Sequence, residues 1–314
     1  MTSTMHALAL ESFDGPPVVT DVPVPMPGPG ETLVRVAAAS VNAYDVFVAM
    51  GAMKDYVPYE FPTVIGSDLA GVVEAIGAGV DDVAVGDRVF GMMGMKRVMD
   101  GSFGSYAVPA PGQLARIPDG VDDHQAGSLG VAGTTAAAAV DALGLREGST
   151  VLIVGATGGV GTFAVQLARR AGAHVIATAK PGDEALLTDL GAAETVDYTG
   201  DLVGAVRAAH DGVDGLIDLV NRDHRAFAEM TGLVRDGGTA SSAVGGAGEE
   251  QSIGGVSVVN VSGDAARLAS VADLAAEGAL RAAITVTYPL EDAARALEEF
   301  TSGHTLGKHL ITMR

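Results

Sequence analysis

The chain has 314 residues, 48% of them hydrophobic, so it can bury a large core and form about two domains of roughly 100–200 residues each. It carries 19 Lys and Arg residues against 39 Asp and Glu residues, and the resulting net charge of −20 disfavours binding to nucleic acids and anionic membranes. It has no cysteine, which excludes disulfides, thiol catalysis, iron–sulfur clusters and cysteine-ligated zinc.

The N-terminal residues 1–6, MTSTMH, lack the basic start and the apolar run of a signal peptide. The most apolar stretch, residues 129–145, is interrupted by glycine, threonine and Asp141, and it is too polar for a membrane span. We therefore expect a cytoplasmic protein that binds neither nucleic acid nor membrane.

The first third of the chain is rich in proline and glycine, above all at residues 23–30. Short runs of β-forming residues lie at 33–37, 69–76 and 87–90, bounded by turn-forming residues. This pattern predicts a small, irregular β domain.

From about residue 149 the pattern changes to apolar strands that alternate with helical segments rich in alanine and leucine. The predicted strands lie at 150–154, 174–178, 194–197, 215–220, 238–243 and 254–261. This alternation is typical of a doubly wound parallel sheet. Beyond about residue 264 we predict two more helical segments and a final strand near 307–313.

A glycine-rich loop, Gly-Ala-Thr-Gly-Gly-Val-Gly, follows the first of these strands at residues 155–161. Its last six residues form A-x-G-x-x-G, a variant of the dinucleotide fingerprint. Gly158 would let the backbone approach a pyrophosphate, and Gly161 would let the helix pack closely on the strand. The free N–H groups at the helix start then face the anion. The predicted cofactor contacts in this loop are Ala156, Thr157, Gly158, Gly159, Val160 and Gly161.

The end of the second strand indicates which cofactor is preferred. Sites for NAD place an acidic residue about twenty residues beyond the glycines, but this chain has Thr178-Ala179-Lys180-Pro181 there. Lys180 would attract the extra phosphate of NADPH, which a carboxylate would repel. The alternative is that Lys180 is an ordinary surface lysine, and the nearby Asp183 and Glu184 weaken the inference of phosphate binding.

Several separated motifs occur in one order along nearly the whole chain. They are Ser40-Val41-Asn42 with Asp45, then residues 65–74, 86–89, 133–136 and 155–161, and finally Gly307-Lys308. In these motifs the chain resembles the zinc-independent quinone oxidoreductase and enoyl reductase branch of the medium-chain dehydrogenase/reductase superfamily. The resemblance implies an α/β protein with a GroES-like, β-rich catalytic domain at 1–117 and 278–314 and a Rossmann domain at 118–277.

The resemblance also implies that no metal is bound. Zinc-dependent relatives place a cysteine where this chain has Asn42 and a His-Glu pair where it has Ser67-Asp68. Without that Lewis acid, simple alcohol oxidation is not expected. The expected reaction is hydride transfer from NADPH to a quinone or to the conjugated C=C bond of an enone or enoyl substrate, with hydrogen-bond donors meeting the developing charge.

Asn42, Tyr44 and Tyr56 are the candidate catalytic residues. The resemblance places Asn42 beside the nicotinamide and substrate, where its amide would donate to an oxyanion; a turn-capping role is the alternative. Many relatives carry a tyrosine proton donor five residues later, but this chain has Phe47. Tyr44, Tyr56, the neighbouring Tyr59 or a water would then supply the proton.

The remaining cofactor contacts implied by the resemblance are Asn42, Thr135, Thr178, Lys180, Tyr198, Val244 and Lys308. Tyr198 would help enclose the 2′-phosphate of NADPH, although a basic residue that some relatives offer there is Asp189 in this chain. Thr135 has an alternative role as a helix N-cap.

Three further expectations concern assembly, the substrate pocket and other functions. The segment 254–261 is predicted to be an edge strand that pairs with its copy in a homodimer. The loop with Met92, Met93, Met95 and Met99 would form an adaptable apolar lid or fill the core. The alternative functions are a low-turnover NADPH-binding sensor or structural protein and a zinc-free alcohol or ketone reductase.

Overall fold

The structure is a computed structural model, and it describes residues 3–94 and 100–313. The chain forms two compact units. Unit 1 comprises Met1–Val131, Ala265–Gly278 and Ala282–Arg314, and unit 2 comprises Ala132–Asp264 and Ala279–Arg281. Residues 118–131 and 265–277 thus pack with unit 1, whereas the sequence assigned them to the Rossmann domain; the domain limits at 117/118 and 277/278 stay a prediction.

The first part of the chain is mostly strands. In chain order the elements are β1 (Thr4–Leu10), β2 (Val18–Pro23), β3 (Thr32–Ser40), α1 (Ala43–Ala49), β4 (Thr63–Val64), β5 (Asp68–Ile76), β6 (Arg88–Met92), β7 (Tyr106–Ala107), β8 (Leu114–Arg116) and α2 (Asp123–Ala126). The predicted strands at 33–37, 69–76 and 87–90 correspond to β3, β5 and β6.

The middle of the chain alternates helices and strands. The elements are α3 (Gly130–Leu143), β9 (Thr150–Val154), α4 (Gly159–Arg170), β10 (His174–Ala179), α5 (Glu184–Leu190), β11 (Glu194–Asp197), α6 (Leu202–Ala209), β12 (Val213–Asp218), α7 (His224–Thr231), β13 (Val234–Ser242), β14 (Ser252–Ile253) and β15 (Val256–Asn260). The chain ends with α8 (Leu268–Ala276), β16 (Ile284–Pro289), α9 (Ala293–Thr301) and β17 (Lys308–Thr312), and short 3-10 helices precede α8 and α9.

Unit 1 contains two sheets within the described residues. The smaller has the order β2-β1-β4; the larger has the order β16-β17-β3-β5-β6-β8, with β7 also paired to β3. Both β5 and β17 run antiparallel to β3. Because neighbouring antiparallel strands point in opposite directions, the end of β3 lies beside the starts of β5 and β17. This junction brings distant parts of the chain together.

Apolar side chains hold unit 1 together. Alternate residues of β3 and β5, such as Val34, Val36 and Leu69, enter a cluster that also contains Phe103 and Ile311. All five are at least 96% buried, and side chains of this size stabilise the fold by about 1.5–3 kcal/mol each when fully buried. This core holds the β3, β5 and β17 junction in place.

Unit 2 is built on one sheet with the order β11-β10-β9-β12-β13-β15-β14. All neighbouring pairs are parallel except β14 with β15. Buried apolar runs on β9, β10 and β12 form its centre, as expected for strands that are covered on both faces. The α/β class, the β-rich unit and the doubly wound parallel sheet predicted from the sequence are confirmed.

Several details differ from the sequence prediction; β1 and β2, for example, were not among the predicted strands. β16 was not predicted, although its β-branched run from Ile284 to Thr287 is a strand signal. The segment 254–261 is not an edge strand along its full length, because the two-residue β14 pairs with the start of β15.

Met95 and Met99 of the predicted lid lie outside the described residues. Within the described part of the chain, no helix is long and apolar enough to cross a membrane.

Candidate functional site

A cluster of buried polar side chains lies where β3, β5 and β17 meet in unit 1. We call it the junction cluster; its members are Ser40, Asn42, Asp45, Ser67, Asp68 and Lys308. Ser40 ends β3, Asp68 begins β5 and Lys308 begins β17. The carboxyl groups of Asp45 and Asp68 and the ammonium group of Lys308 are thus buried inside unit 1. Such groupings are costly unless paired, and they mark candidate functional sites.

Asp68 is the main acceptor of the junction cluster. Its Oδ2 accepts from the Ser40 hydroxyl at 2.5 Å and from the Asn42 Nδ2 at 2.9 Å. Its Oδ1 accepts from the Val131 backbone N–H at 2.6 Å. The side chain is fully buried, so these charge-assisted hydrogen bonds replace its hydration.

The Lys308 ammonium lies on the other side of Asn42. Its Nζ donates to the Asn42 Oδ1 at 2.7 Å and to the Val41 carbonyl at 3.2 Å. It lies 3.8 Å from the Asp68 Oδ2. Burial lowers the pKa of Lys308, while the nearby Asp68 and Asp45 act in the opposite direction. The predicted contact of Lys308 with a cofactor stays a prediction.

These two charges determine which way the Asn42 amide points. A lysine can only donate and a carboxylate can only accept, so Oδ1 faces Lys308 and Nδ2 faces Asp68. Nδ2 also lies 3.2 Å from both the Ser40 carbonyl and the Ser67 Oγ. Its two hydrogens therefore face three protein acceptors. To donate to a substrate, the amide would have to give up one of these hydrogen bonds. Asn42 is also the N-cap residue of α1, but its side chain turns into the cluster.

Asp45 caps α1 from the third helical position. Its Oδ2 accepts from the Asn42 backbone N–H at 2.7 Å. Its Oδ1 is buried and has no hydrogen-bond partner in the part of the chain that the structure describes. Burial raises the pKa of Asp45 to about 7, and the like charge of Asp68 adds to this, whereas the Ser67 hydroxyl, the Asn42 N–H and the charge of Lys308 oppose it.

The predicted proton donors lie around α1. Tyr44 is half-buried in its first turn, and burial, then Tyr59 and Asp45, raise the pKa of its phenol. Tyr56 is 81% exposed, in the turn region after α1. Tyr59 donates its hydroxyl to the Val48 carbonyl at 3.1 Å. Of these side chains, Tyr44 is the one whose electrostatics connect it to the junction cluster; the catalytic roles of Tyr44 and Tyr56 stay predictions.

The residues of the junction cluster do not fit a zinc ion. They offer no imidazole or thiolate, and the Lys308 ammonium already lies against the Asn42 and Asp68 oxygens. An ammonium at that distance would repel a divalent cation. The described residues also contain no group of three or more His, Cys, Asp or Glu side chains arranged to hold a metal.

The glycine-rich loop of unit 2 has the geometry of a nucleotide-binding turn. Gly155 has a φ of +82°, which favours glycine, and Gly158 is the N-cap of α4. A Cβ at Gly161 would lie 2.2 Å from the Gly155 carbonyl oxygen, so only glycine permits this packing. A Cβ at Gly158 would lie 3.5 Å from its nearest neighbour. Gly158 therefore borders open space at the helix start, where a phosphate group fits.

The other predicted cofactor residues of unit 2 lie near the carboxyl ends of the parallel strands. The Thr178 Oγ1 accepts from the Gly155 N–H at 3.0 Å, which ties the end of β10 to the loop. Lys180, Tyr198 and Val244 follow β10, β11 and β13. Ligands of doubly wound sheets bind at this edge.

Thr135 is not an N-cap, because it lies inside α3, where its Oγ1 accepts from the Gly263 N–H at 3.1 Å.

The electrostatics near the predicted phosphate site are mixed. Lys180 is partly exposed after β10 and supplies a positive charge. Burial raises the pKa of Tyr198, and the carboxylates of Asp183 and Asp197 add to this shift. The extra phosphate of NADPH would therefore meet the positive charge of Lys180 and the negative charges of Asp183 and Asp197.

Two family descriptions match separate parts of the chain. Residues 28–119 match the alcohol dehydrogenase GroES-like domain. Residues 190–311 match the zinc-binding dehydrogenase family. The GroES-like domain predicted from the sequence is thereby confirmed.

Curated relatives come from two groups of proteins. The chain is 34% identical over 203 residues to the chloroplast envelope quinone oxidoreductase homolog of Arabidopsis thaliana, which covers 62% of this chain and 61% of that protein. It is 45% identical over 163 residues to erythronolide synthase EryA2 of Saccharopolyspora erythraea, which covers 52% of this chain and 4% of the synthase. The chain thus spans less than two thirds of either relative.

Solved structures match over nearly the full length. A quinone oxidoreductase from Coxiella burnetii aligns with a TM-score of 0.86 and 27% identity, covering 99% of this chain and 100% of that one. An NAD-dependent alcohol dehydrogenase aligns with a TM-score of 0.85 and 30% identity, covering 98% and 99%. With both of its domains matched in this way, the chain belongs to the medium-chain dehydrogenase/reductase superfamily of oxidoreductases, whose members bind a nicotinamide cofactor.

Proposed function

We propose that the protein is an NADPH-dependent, zinc-independent reductase of a quinone or of the conjugated C=C bond of an enone or enoyl substrate. One observation carries this proposal: the junction cluster offers no imidazole or thiolate, and it places the Lys308 ammonium against the Asn42 and Asp68 oxygens. The reaction would therefore rely on hydrogen bonds and local charges in place of a Lewis acid. Similarity to quinone oxidoreductases and to polyketide synthases supports the same two substrate classes.

The glycine-rich loop would hold the cofactor in unit 2. The backbone N–H groups at the start of α4 face the open space beside Gly158 and would bind the pyrophosphate. Bound NADPH would supply a hydride to the electron-poor carbon of the substrate. Negative charge then develops on a substrate oxygen, and hydrogen-bond donors must stabilise it.

A substrate panel tests the proposal. NADPH oxidation is followed at fixed enzyme concentration with quinones, enones, enoyl thioesters, saturated ketones and alcohols. We expect turnover with at least one quinone, enone or enoyl thioester. Tight NADPH binding without turnover of any compound would support the sensor or structural role instead.

A zinc-free alcohol or ketone reductase is the second candidate. The alignment with an NAD-dependent alcohol dehydrogenase over nearly the whole chain favours it. Turnover confined to the saturated ketones and alcohols of the panel would establish this candidate and reject conjugate reduction.

Lys180→Glu tests the preference for NADPH. Losing one charged hydrogen bond costs about 1.5–3 kcal/mol, so NADPH should bind roughly tenfold or more weakly, while NADH binding changes little. Lys54→Glu, at an exposed lysine of unit 1, makes the same charge change as a control. Titration of both nucleotides provides the measurement. Equal weakening of both, or better NADH binding by the wild type, would contradict the preference.

We further propose a homodimer that forms through the free part of β15. The side chain of Val259 is 37% exposed there; β14 pairs with Val256 and Ser257, and the Gln251 carbonyl accepts from the Val258 N–H. Sedimentation at micromolar concentration should give a dimer. Val259→Lys should shift it toward monomer, and Val85→Lys, at a 62% exposed site of unit 1, should not. A monomeric wild type would refute this assembly; the cytoplasmic location stays a prediction.

A further inference from the structure

We propose that the Ser67 hydroxyl is the hydrogen-bond donor to the substrate oxygen on which negative charge develops, and that Lys308 and Asn42 fix its donor direction. This inference rests on the proposed reductase function and deepens it. It assigns a catalytic residue, Ser67, and a positioning residue, Lys308, that acts through Asn42.

A one-way chain of hydrogen bonds leads to Ser67. The Lys308 Nζ donates to the Asn42 Oδ1 at 2.7 Å, and the Asn42 Nδ2 donates to the Ser67 Oγ at 3.2 Å. An amide nitrogen has no lone pair to offer, so Ser67 is the acceptor in this contact. The hydroxyl proton of Ser67 must therefore point away from Asn42. The buried ammonium at the other end prevents the amide from turning over.

The exposure of the junction cluster shows where it opens. Ser40 and Asp68 are fully buried, and Asp45 and Lys308 are at least 98% buried. Asn42 and Ser67 retain 7% and 8% exposure. Because the hydrogens of Asn42 face protein acceptors, Ser67 is the accessible member whose proton remains available to a ligand.

Gly66 explains how the chain presents this hydroxyl. Its φ of +116° lies in the region that favours glycine. A Cβ there would also lie 2.5 Å from the Ser102 Oγ and 2.7 Å from the Phe103 backbone nitrogen. The turn places Ser67 directly before β5, whose first residue, Asp68, is anchored by three hydrogen bonds. The hydroxyl is thus held on a rigid strand end, which favours stabilisation of a developing charge.

Asp45 is the protein group that competes for the Ser67 proton. Burial raises the pKa of the Asp45 carboxyl to about 7, and the Ser67 hydroxyl opposes this shift. The other charged groups facing Asp45 are Asp68 on β5 and Lys308 on β17, and Tyr44 is next to it on α1. Below about pH 7 the carboxyl is neutral and releases the Ser67 proton for the substrate. The kcat should therefore fall as the pH rises through about 7.

The test compares Ser67→Ala with Ser67→Thr, which keeps the hydroxyl, and with Ser102→Ala. Ser102 is a matched control because its hydroxyl is buried in the same unit without a hydrogen-bond partner among the described residues. Removing one such donor costs roughly 100-fold in kcat. We expect that loss for Ser67→Ala with unchanged NADPH affinity, substantial recovery in Ser67→Thr and a wild-type kcat in Ser102→Ala.

The pH profile provides a second readout. Asp45→Asn removes the titrating carboxyl, so its kcat should not change between pH 6 and 8, unlike that of the wild type. A wild-type kcat in Ser67→Ala, or a kcat profile of Asp45→Asn that still falls near pH 7, would overturn this inference and leave the reductase function standing. Absence of NADPH-dependent turnover in the wild type would overturn the proposed function, and this inference with it.

Discussion

Gly161→Ala should destabilise the protein, although alanine is the better helix former. In an open helix the substitution would stabilise by up to about 1 kcal/mol. Here the new Cβ would lie 2.2 Å from the Gly155 carbonyl oxygen and 2.6 Å from the Ala156 Cα. Backbone atoms cannot rotate away as a side chain can, so α4 must shift from β9. Such overpacking costs about 1–3 kcal/mol, and thermal unfolding should show a melting temperature lower by several degrees.

Gly158→Ala provides the matched comparison three residues earlier. Gly158 has φ −76° and ψ 175°, which alanine adopts without strain, and its Cβ would have ordinary contact distances. The melting temperature should therefore stay close to that of the wild type. The added methyl group would nevertheless occupy the space in which the pyrophosphate approaches the backbone. We expect at least roughly tenfold weaker binding of the nucleotide, equivalent to about 1.4 kcal/mol.

Together the two variants separate packing from binding. If Gly161→Ala unfolds at the wild-type temperature, the close approach between α4 and β9 is not needed for stability. If Gly158→Ala binds NADPH as tightly as the wild type does, the loop does not hold the pyrophosphate. Calorimetry and nucleotide titration on the same preparations provide both results.

The difference between local and long-range signals explains what the sequence could predict. The glycine-rich loop was recognisable because its strand, turn and helix follow one another within about twenty residues, and each glycine has a local geometric reason. The β16 strand was missed, although its β-branched run and the alternation of Ile284, Val286 and Tyr288 with threonine are strand signals.

The junction cluster depends on contacts between residues far apart in the chain. Asn42 and Lys308 are 266 residues apart, and they meet because β17 returns to pair with β3. The sequence identified Asn42 as a candidate donor, but the direction of its amide is set by Lys308 on one side and Asp68 on the other. No local pattern contains that information. The role inferred for Ser67 follows from this three-dimensional arrangement.

Asp45→Asn should change how stability depends on pH. In the unfolded chain the pKa of Asp45 is near its ordinary value of 3.8, and in the folded protein burial raises it to about 7. Between these values the folded state holds a proton that the unfolded state has released. The contribution of this group to the free energy of unfolding therefore decreases as the pH rises from about 4 to about 7, and it is constant above that. This direction is opposite to that of a carboxylate stabilised by an ion pair.

The size of the effect follows from the shift. One pKa unit corresponds to about 1.4 kcal/mol, so a shift of this size corresponds to at most about 4 kcal/mol across the window. Asparagine cannot ionise, yet its side-chain oxygen can still accept from the Asn42 N–H, so the α1 cap is preserved. Denaturant unfolding at pH 5 and pH 8 should show the wild type losing more stability than the variant between the two conditions.

The loss of stability between pH 5 and pH 8 must be compared between the wild type and the variant, because other groups also titrate between these conditions. The pKa of His309 is lowered by burial, and groups of this kind contribute with the opposite sign. They are present in both proteins and cancel when the variant is subtracted from the wild type. Asp81→Asn, at an exposed site of unit 1, should leave the pH dependence as in the wild type. Identical pH slopes for Asp45→Asn and the wild type would show that Asp45 is ionised in the folded protein, and the charges of Asp45, Asp68 and Lys308 would then have to balance in another way.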